Sequence, residues 1–545
     1  MHITKVKIKN FKCFRDTFVI DFTPGINVIV GNNEEGKSTI LEAIHLTLSG
    51  LYNGRYFKNE LSEYFFNYDL IQDYKKSLTS GEPMSPPEIN IEVFFFGNDL
   101  PMFEGDFNST KTKETGVSLK IALDEKERGS YNDYVRNGAP SLPIEYYEVS
   151  WHSFAREAIT PRRIPLKSVL IDSSSNRYHN GSDVYINHII KNHLDDGQKN
   201  SLTQTHRKLQ ATFGDEESVI KVNEVIKNIS KLKEKDKLVK LGIDLSSNNA
   251  WENSFITYVE DVPFHHIGKG EQAIVKTKLA LQHKKSQEAN VILLEEPENH
   301  LSHTKLYELI GEIRSKCNDK QIILSTHSSF VANKLGLENL IILNAKKNMR
   351  LKELDKTTYD FFKKVPGYDT LRLILCNKAI LVEGDSDELV VQKAFMKMND
   401  GKLPIELGVD VISVGTSFLR FLEIAEKINK QVAVVTDNDG DVEALRKKYS
   451  DYLGTNKKPT IKIFFDSTID TGDLIISDKP FNYNTLEPKM LKVNDVKSIC
   501  KVLNKEMEKD DLLKYMQANK TECALKIFDS LDDLNYPQYI LDAIQ

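Results

Sequence analysis

The sequence predicts an α/β protein in which two α/β units follow one another along the chain. Short, continuous apolar runs, typical of strands buried on both faces, occur at Ile26–Val30, Val291–Leu294 and Ala379–Val382. Glycines or carboxylates follow each run, and residues at helical spacing come later. This alternation of buried strand, polar turn and helix is the pattern of a mostly parallel sheet.

Length and composition are those of a globular protein. At about 100–200 residues per domain, the 545 residues predict roughly three domains. The 40% of hydrophobic and 28% of charged residues exclude a collagen-like or wholly disordered chain. The 73 Lys and Arg residues stand against 79 Asp and Glu residues, a net charge of −6, which excludes a generally basic nucleic-acid coat but not a local basic patch.

Cysteine usage and hydropathy favour a cytoplasmic location. The five cysteines are scattered and form no CxxC pair, so neither a zinc finger nor a secreted disulfide framework is expected. The N-terminal residues alternate between polar and apolar side chains, as in a strand and unlike a signal peptide. Because the sequence holds no run of about 18 apolar residues, we expect no membrane partner.

The apolar pattern divides the chain into four segments. The first α/β unit is interrupted by a stretch that has few glycines or prolines and has helical spacing. Its apolar positions exceed what one exposed hairpin needs, so we predict that it forms a homodimer or larger assembly; the alternative is packing on the sheet of the same chain. These positions include Ile186, Ile189, Ile190, Val219 and Ile226. The predicted segments are residues 1–180, the N-terminal half of the first unit; 181–245, the helical insertion; 246–355, the C-terminal half of the first unit; and 370–545, the second unit.

Three stretches give weaker patterns. Residues 51–87 are aromatic and polar without a clear period. Residues 97–150 contain many Gly, Asn and Asp residues and are predicted as β-hairpins. Residues 354–377 are predicted as a connector between the two units.

A glycine-rich loop after the first buried strand carries the clearest functional motif. Residues 31–38, GNNEEGKS, match G-x-x-x-x-G-K-[ST] at every fixed position between a predicted strand and a predicted helix. Such a loop wraps phosphates with its backbone N–H groups, while Lys37 offers a positive charge to the β- and γ-phosphates and Ser38 a ligand to Mg²⁺. We therefore predict that ATP and Mg²⁺ bind at Gly31, Asn32, Asn33, Glu34, Glu35, Gly36, Lys37, Ser38 and Thr39.

Later strand ends complete the predicted nucleotide site. The apolar run 291–294 delivers Glu295 to Mg²⁺, directly or through water, and places Glu296 to polarise the attacking water. His327 follows the next predicted strand, from which it can contact the γ-phosphate. A second glycine-rich helix start, GKGEQ, is another candidate anion site and comprises Gly268, Lys269, Gly270, Glu271 and Gln272.

The second unit gathers acidic residues at predicted strand ends. Glu383 and Gly384 follow its first strand, and Asp437 and Asp439 follow a later one. Because the carboxyl ends of parallel strands meet at one edge of a sheet, Glu383, Asp437 and Asp439 should converge there. Like charges so close require hard cations, such as Mg²⁺ or Mn²⁺, to neutralise them.

These motifs resemble known families. The order of phosphate loop, insertion, GKGEQ segment, carboxylates and His resembles ABC-type ATPases of the SMC and RecF kind. The EG…G…DxD set resembles the TOPRIM fold of topoisomerases, primases and some nucleases. An ATPase head followed by TOPRIM in one chain resembles the OLD (overcoming lysogeny defect) family of nucleases. The resemblance implies an α/β fold with an ABC-type ATPase head and helical insertion, followed by a Rossmann-like TOPRIM domain.

The resemblance also implies roles for further residues and partners. In ABC-type ATPases the signature loop of one head closes on nucleotide held by another. Here Gly268 replaces the usual Ser and Lys269 a Gly, so we expect slow hydrolysis. The OLD resemblance implies a second metal on Asp387 and Glu487, and a transition-state contact from Lys520. It further implies DNA as substrate, defence against phage, and in some members a partner such as a helicase-like protein or a retron reverse transcriptase with its RNA.

Several functions fit these observations. The leading hypothesis is an ATP-regulated, metal-dependent DNA endonuclease or nickase. The alternative is a nucleotide-dependent DNA-binding clamp or sensor whose TOPRIM unit is only a scaffold, against which the intact acids argue. A third possibility is a TOPRIM nuclease directed at translation or tRNA. Topoisomerase chemistry would need a tyrosine beside the metals, and neither Tyr483 nor Tyr515 has a recognisable context.

Overall fold

A computed structural model gives the fold of the chain. It describes residues 1–52, 55–80, 84–136, 142–172, 194–229, 257–282, 289–299, 301–315, 320–328, 331–332, 335–364, 368–476 and 478–545. Within these ranges, strands and helices alternate through most of the chain. In the same ranges, no helix combines the length and the apolar character that crossing a membrane requires.

The elements are numbered in chain order. The strands are β1 (His2–Lys9), β2 (Phe18–Asp21), β3 (Ile26–Val30), β4 (Leu51–Tyr52), β5 (Arg55–Tyr56), β6 (Ile89–Phe96), β7 (Glu104–Gly105), β8 (Glu114–Leu123), β9 (Tyr147–Ser153), β10 (Ser168–Asp172), β11 (Tyr258–Val259), β12 (Val262–Pro263), β13 (Val291–Glu295), β14 (Gln321–Thr326), β15 (Leu340–Asn344), β16 (Lys347–Arg350), β17 (Lys378–Val382), β18 (Val409–Ser413), β19 (Gln431–Val435), β20 (Ile461–Phe464), β21 (Ile475–Ile476) and β22 (Lys479–Pro480). The helices are α1 (Lys37–Ser49), α2 (Tyr68–Ser80), α3 (Arg128–Arg136), α4 (Asp196–Asp215), α5 (Glu217–Ile229), α6 (Lys269–Gln282), α7 (His303–Ser315), α8 (Lys356–Lys364), α9 (Tyr368–Leu375), α10 (Asp385–Met398), α11 (Phe418–Lys427), α12 (Val442–Lys448), α13 (Leu486–Val493), α14 (Val496–Leu503), α15 (Lys509–Ala518), α16 (Lys520–Asp529) and α17 (Gln538–Ile544).

A mostly parallel sheet forms the centre of the first unit. Its strand order is β10-β13-β14-β3-β15-β16, and only the β15–β16 pairing is antiparallel among these described strands. Strand β3 lies early in the sequence but sits between β14 and β15, with Val28 opposite Leu324. The unit is therefore completed only when the chain returns after the insertion.

An antiparallel sheet covers one face of the parallel sheet. Its order is β2-β1-β6-β8-β7, with β9 also paired to β8. Helix α1 packs between the two sheets, because its buried Ile40 and Ile44 share one apolar core with Val6 of the antiparallel sheet and Leu293 of the parallel sheet. This packing fixes the helix that begins at the phosphate loop.

The second unit is a parallel sheet with helices on both faces. The order is β18-β17-β19-β20. Alternate residues of β17 face two different cores: Ala379 and Leu381 point to one, and Ile380 and Val382 to the other. The first of these cores continues into the first unit, where it includes Val28. The two units are thus packed against each other.

The stretches with weak sequence patterns contain more helix than we predicted. Residues 51–87 include α2, residues 97–150 include α3 beside β8 and β9, and the predicted connector holds α8 and α9. The helical insertion is described as α4 and α5, whereas Ile186, Ile189 and Ile190 lie outside the described residues.

Candidate active sites

The phosphate loop joins β3 to α1 and depends on two glycines. Gly36 caps α1 with a φ of +99°, and a Cβ there would lie 2.6 Å from the Phe14 ring and 2.8 Å from Cys13 Sγ. A Cβ on Gly31 would lie 2.7 Å from the Leu343 carbonyl oxygen. The residues that pack around the loop therefore leave room only for glycine at both fixed positions of the motif.

Lys37 is buried inside this loop. Its Nζ donates to the carbonyl oxygens of Gly31, at 2.8 Å, and Asn32, at 2.9 Å. Burial lowers the pKa of the Lys37 ammonium, against an opposing effect of the Glu296 and Glu298 carboxylates. The loop is thus folded around the cation that the motif assigns to the phosphates.

The predicted carboxylates and His327 meet beside this loop. Strands β13 and β14 are parallel neighbours, with Glu295 opposite Ser325. Glu296 follows with a φ of +42°, and its Oε1 lies 3.2 Å from Nδ1 of His327. Asn299 Nδ2 donates to the other Glu296 oxygen at 2.9 Å. The structure therefore places the predicted water-polarising carboxylate next to the predicted γ-phosphate contact.

Glu298, which none of the sequence motifs indicates, organises the His327 loop. Its Oε1 accepts from Thr326 Oγ1 at 2.5 Å and from the backbone N–H groups of His327 and Ser328 at 3.2 and 3.3 Å. Burial raises the pKa of Glu298. Its position three residues after Glu295 was visible in the sequence, but the contacts arise only once β13 and β14 are adjacent.

The predicted signature segment opens α6 at the surface. Gly268, Lys269 and Glu271 are exposed, and the Gln272 side chain donates to the Ile267 carbonyl oxygen at 3.0 Å. Gly268 has open space around the position of a Cβ. Surface exposure leaves this helix start accessible to a second molecule.

In the second unit, the predicted acids collect at the carboxyl ends of β17 and β19. Glu383 directly follows β17, and Asp387 accepts from the Gly384 N–H at 3.1 Å in the first turn of α10. Asp437 and Asp439 follow β19. Glu487 is buried at the start of α13, 5% exposed.

Hydrogen bonds hold these acids in fixed orientations. The Leu486 N–H donates to Asp437 Oδ2 at 3.0 Å, and Asn482 Nδ2 donates to Asp439 Oδ1 at 3.3 Å. Lys520 Nζ lies 3.3 Å from Glu487 Oε1. The loop before α13 and the start of that helix thus contact the acids that follow β19. These contacts bring Glu487, and with it Lys520, close to Asp437 and Asp439.

The acids perturb one another electrostatically. Burial, and then the charges of Asp387, Glu487 and Asp439, raise the pKa of Asp437 well above its usual range. Burial, with the Glu487 and Glu383 charges, raises the pKa of Asp387 to about 6. Burial acts to lower the pKa of Lys520, but Glu487 and the other acids outweigh it and the pKa rises. These carboxylates therefore form one interacting cluster.

The cluster has the donor chemistry of a divalent-metal site. Carboxylate oxygens are the ligands that Mg²⁺ and Mn²⁺ prefer, and a cation would offset the burial and the mutual repulsion that raise the pKa values of Asp387 and Asp437. Among the described residues, however, no three acidic, His or Cys side chains already converge in a metal-holding arrangement. Glu487 instead pairs with Lys520. The residues fit a divalent ion, but their side chains would have to close around it.

Two family models match different parts of the chain. A family model described as an AAA domain matches residues 5–365. A second model, described as the TOPRIM domain of overcoming lysogenization defect protein-like proteins, matches residues 374–439. These matches confirm the predicted order of an ATPase domain and a TOPRIM domain.

Individual relatives are similar over different lengths. The OLD nuclease of Thermus scotoductus is 25% identical over 429 residues, which cover 73% of this chain and 74% of that protein. The DNA double-strand break repair Rad50 ATPase of Archaeoglobus fulgidus is 34% identical over 113 residues, 21% of this chain and 12% of that protein. The solved SMC head domain from Thermotoga maritima is 14% identical, with a TM-score of 0.30, and the match covers 63% of this chain and 94% of that one. The family models and the first of these relatives support an enzyme that combines an ATPase with a nuclease.

Proposed function

Because the chain belongs to the AAA-domain family and carries a TOPRIM domain of the overcoming-lysogenization-defect type, we propose that it is an ATP-regulated, metal-dependent DNA endonuclease or nickase. The observation that carries the proposal is the cluster of interacting carboxylates at the ends of β17 and β19, with Lys520 beside it. A scaffold would gain nothing from like charges gathered at such an electrostatic cost.

The acids divide into two proposed metal positions. Glu383, Asp437 and Asp439 would hold one Mg²⁺ or Mn²⁺, and Asp387 and Glu487 would hold the second. Two such ions activate a water and stabilise the leaving oxygen of a phosphodiester. Lys520 would release Glu487 to the ion and place its ammonium beside the scissile phosphate, where it stabilises transition-state charge.

The first unit would bind and hydrolyse ATP. Lys37 would contact the β- and γ-phosphates, Ser38 and Glu295 would hold Mg²⁺, and Glu296, with His327 next to it, would polarise the attacking water. Exposure of the GKGEQ helix start supports a composite site in which this segment of a second copy covers the nucleotide.

Contacts between the two units support regulation by ATP. The Asn32 side chain of the phosphate loop donates to Asn377 Oδ1 at 3.2 Å, and Asn377 immediately precedes β17. A change in the phosphate loop can therefore reach the strand whose far end carries Glu383.

The proposed biological setting rests on the relatives. The name of the Thermus relative supports nuclease activity, and that of the Rad50 ATPase supports a DNA substrate. We further propose that the protein acts in the cytoplasm as a homodimer and defends the cell against phage. We also propose that it works with a partner, such as a helicase-like protein or a retron reverse transcriptase with its RNA.

Plasmid nicking tests the nuclease assignment. Wild-type protein should nick supercoiled plasmid with Mg²⁺ or Mn²⁺, whereas Asp437→Ala should not, because the remaining acids cannot hold both ions. Asp437→Ala should still hydrolyse ATP, since the two sites lie on separate sheets. Asp451→Ala, an exposed acid outside the cluster, is the matched control and should cut normally. If Asp437→Ala nicks plasmid at the wild-type rate, the nuclease proposal is wrong and the second unit is a scaffold. If the wild type cleaves RNA but not DNA, the substrate is RNA.

A further inference from the structure

The C-terminal helix brings a tyrosine into the carboxylate cluster. Tyr539 lies in the first turn of α17, which packs against β19, β20 and α10. Its side chain is 7% exposed, and its hydroxyl lies 3.3 Å from Asp437 Oδ1. A residue close to the end of the chain thus contacts the central acid of the proposed metal site.

This contact fixes the second oxygen of the Asp437 carboxylate. Its Oδ2 already accepts from the Leu486 N–H at 3.0 Å, and the Tyr539 hydroxyl donates to Oδ1. A carboxylate oxygen has two lone pairs, so each oxygen keeps one for another partner. Because α13 holds one oxygen of Asp437 and α17 holds the other, the plane of this carboxylate group is fixed.

Tyr483 and Tyr515 of the second unit do not share this position. Tyr483 OH accepts from the Leu474 N–H at 3.2 Å, and Tyr515 OH donates to Glu522 Oε1 at 3.2 Å. Neither bond reaches the cluster acids. Of the three, Tyr539 is the one whose hydroxyl points at Asp437.

We infer that Tyr539 is a positioning residue: its hydroxyl orients Asp437 so that the free lone pairs face a divalent ion. The inference rests on the proposed metal-dependent function. It assigns the hydroxyl as a donor to a carboxylate and not as a nucleophile toward DNA, because the buried ring and the bond to Asp437 direct it away from solvent.

Direct metal binding tests the inference. Tyr539→Phe in the full chain keeps the packing and removes only the hydroxyl. Loss of an outer partner of a metal ligand typically weakens metal affinity by about 10–100-fold; the length of this bond places the expected loss near tenfold, measured by Mn²⁺ titration with electron paramagnetic resonance. Tyr536→Phe is the matched control, because Tyr536 is also buried near the chain end, at 6% exposure, and should bind Mn²⁺ like the wild type.

The outcomes separate the possible roles. Nicking by Tyr539→Phe should be weak at limiting Mn²⁺ and recover when Mn²⁺ is raised above the new dissociation constant. Wild-type Mn²⁺ affinity in Tyr539→Phe would overturn the inference, as would an equal loss in Tyr536→Phe. A nicking defect that excess Mn²⁺ does not restore, together with a covalent protein–DNA adduct in the wild type, would make Tyr539 the nucleophile instead. If the wild type binds no Mn²⁺ at all, the proposed metal site fails and the role of Tyr539 fails with it.

Discussion

Glu298 illustrates how one carboxylate oxygen can set the shape of the nucleotide site. It gathers the Thr326 hydroxyl and two backbone N–H groups, one of them from His327. Hydrogen bonds to a charged group are worth about 1.5–3 kcal/mol each in net terms. Glu298 therefore holds in place the loop that carries His327.

Replacing Glu298 should impair ATP turnover more than ATP binding. Glu298→Ala removes all three bonds and loosens the loop that carries His327, while Lys37 and the phosphate loop remain, so we expect kcat to fall about ten- to a hundredfold with a small change in ATP affinity. Glu298→Gln keeps an acceptor oxygen and should retain more activity. Glu308→Ala, an exposed acid on α7, should behave as wild type. Equal kcat values for Glu298→Ala and the wild type would exclude this role.

Lys37 and Glu296 should separate nucleotide binding from hydrolysis. Lys37→Ala removes the buried cation of the phosphate loop and should abolish ATP binding measured by calorimetry. Glu296→Gln should still bind ATP but not hydrolyse it, since the phosphate loop and the Mg²⁺ ligands are intact. Lys9→Ala, on the exposed side of β1, serves as the control. Normal hydrolysis by Glu296→Gln would show that another group polarises the water.

At this scale, sequence motifs identify residues that act through their own chemistry but miss those that act through a tertiary contact. Lys37 and Glu296 stand in patterns that the local backbone explains. Tyr539 is 102 residues from Asp437 in the sequence, and no spacing rule connects them. Such a contact exists only because α17 folds back onto β19.

At the scale of elements, the helical insertion carries an exposed apolar surface. In α5, Val219 is 8% exposed, whereas Val222 is 46% and Val225 is 55% exposed. Leu209 of α4 is 60% exposed. A contiguous patch of exposed apolar side chains is typical of a surface that another chain covers.

Charges placed on this surface should weaken the predicted dimer. Val222→Lys with Val225→Lys should shift the protein toward monomer in light scattering, because two ammonium groups would have to be desolvated at the interface. Glu224→Lys, exposed between them, adds the same charge without removing an apolar contact and should leave a dimer. A wild-type protein that is monomeric with and without ATP would remove the prediction and favour packing within one chain.

Strands were easier to predict than short helices for a physical reason. Runs such as 291–294 are buried on both faces and leave a continuous apolar signature. Helices α8 and α9 span 9 and 8 residues, little more than about two turns each, and their few apolar residues do not establish a helical period. The sequence therefore predicts the connector, residues 354–377, without these two helices.

For the whole molecule, the two units share buried polar contacts as well as an apolar core. Lys430, 2% exposed, donates to Asn344 Oδ1 at 3.2 Å and to the carbonyl oxygens of Ile374 and Cys376 at 2.9 and 2.6 Å. Asn344 is the last residue of β15, and Leu343, the residue before it, packs against Gly31 of the phosphate loop. Lys430 precedes β19, which leads to the acids. The phosphate loop is thus linked directly to the start of β17, through Asn32 and Asn377, and indirectly to the start of β19, through β15 and Lys430.

The bond between Asn32 and Asn377 offers a test of this linkage that leaves both sites intact. Asn377→Ala removes the 3.2 Å contact between Asn32 and the start of β17, while every proposed phosphate and metal ligand keeps its own side chain. If nucleotide regulates cleavage through this contact, Asn377→Ala should hydrolyse ATP and nick plasmid in Mn²⁺ without ATP as the wild type does, yet lose the effect of ATP on nicking. Asn456→Ala, an exposed asparagine in the second unit, should keep that effect. An unchanged ATP effect in Asn377→Ala would assign the coupling to the Lys430 contacts or to a second copy, and Lys430→Met would then be the variant that distinguishes those two routes.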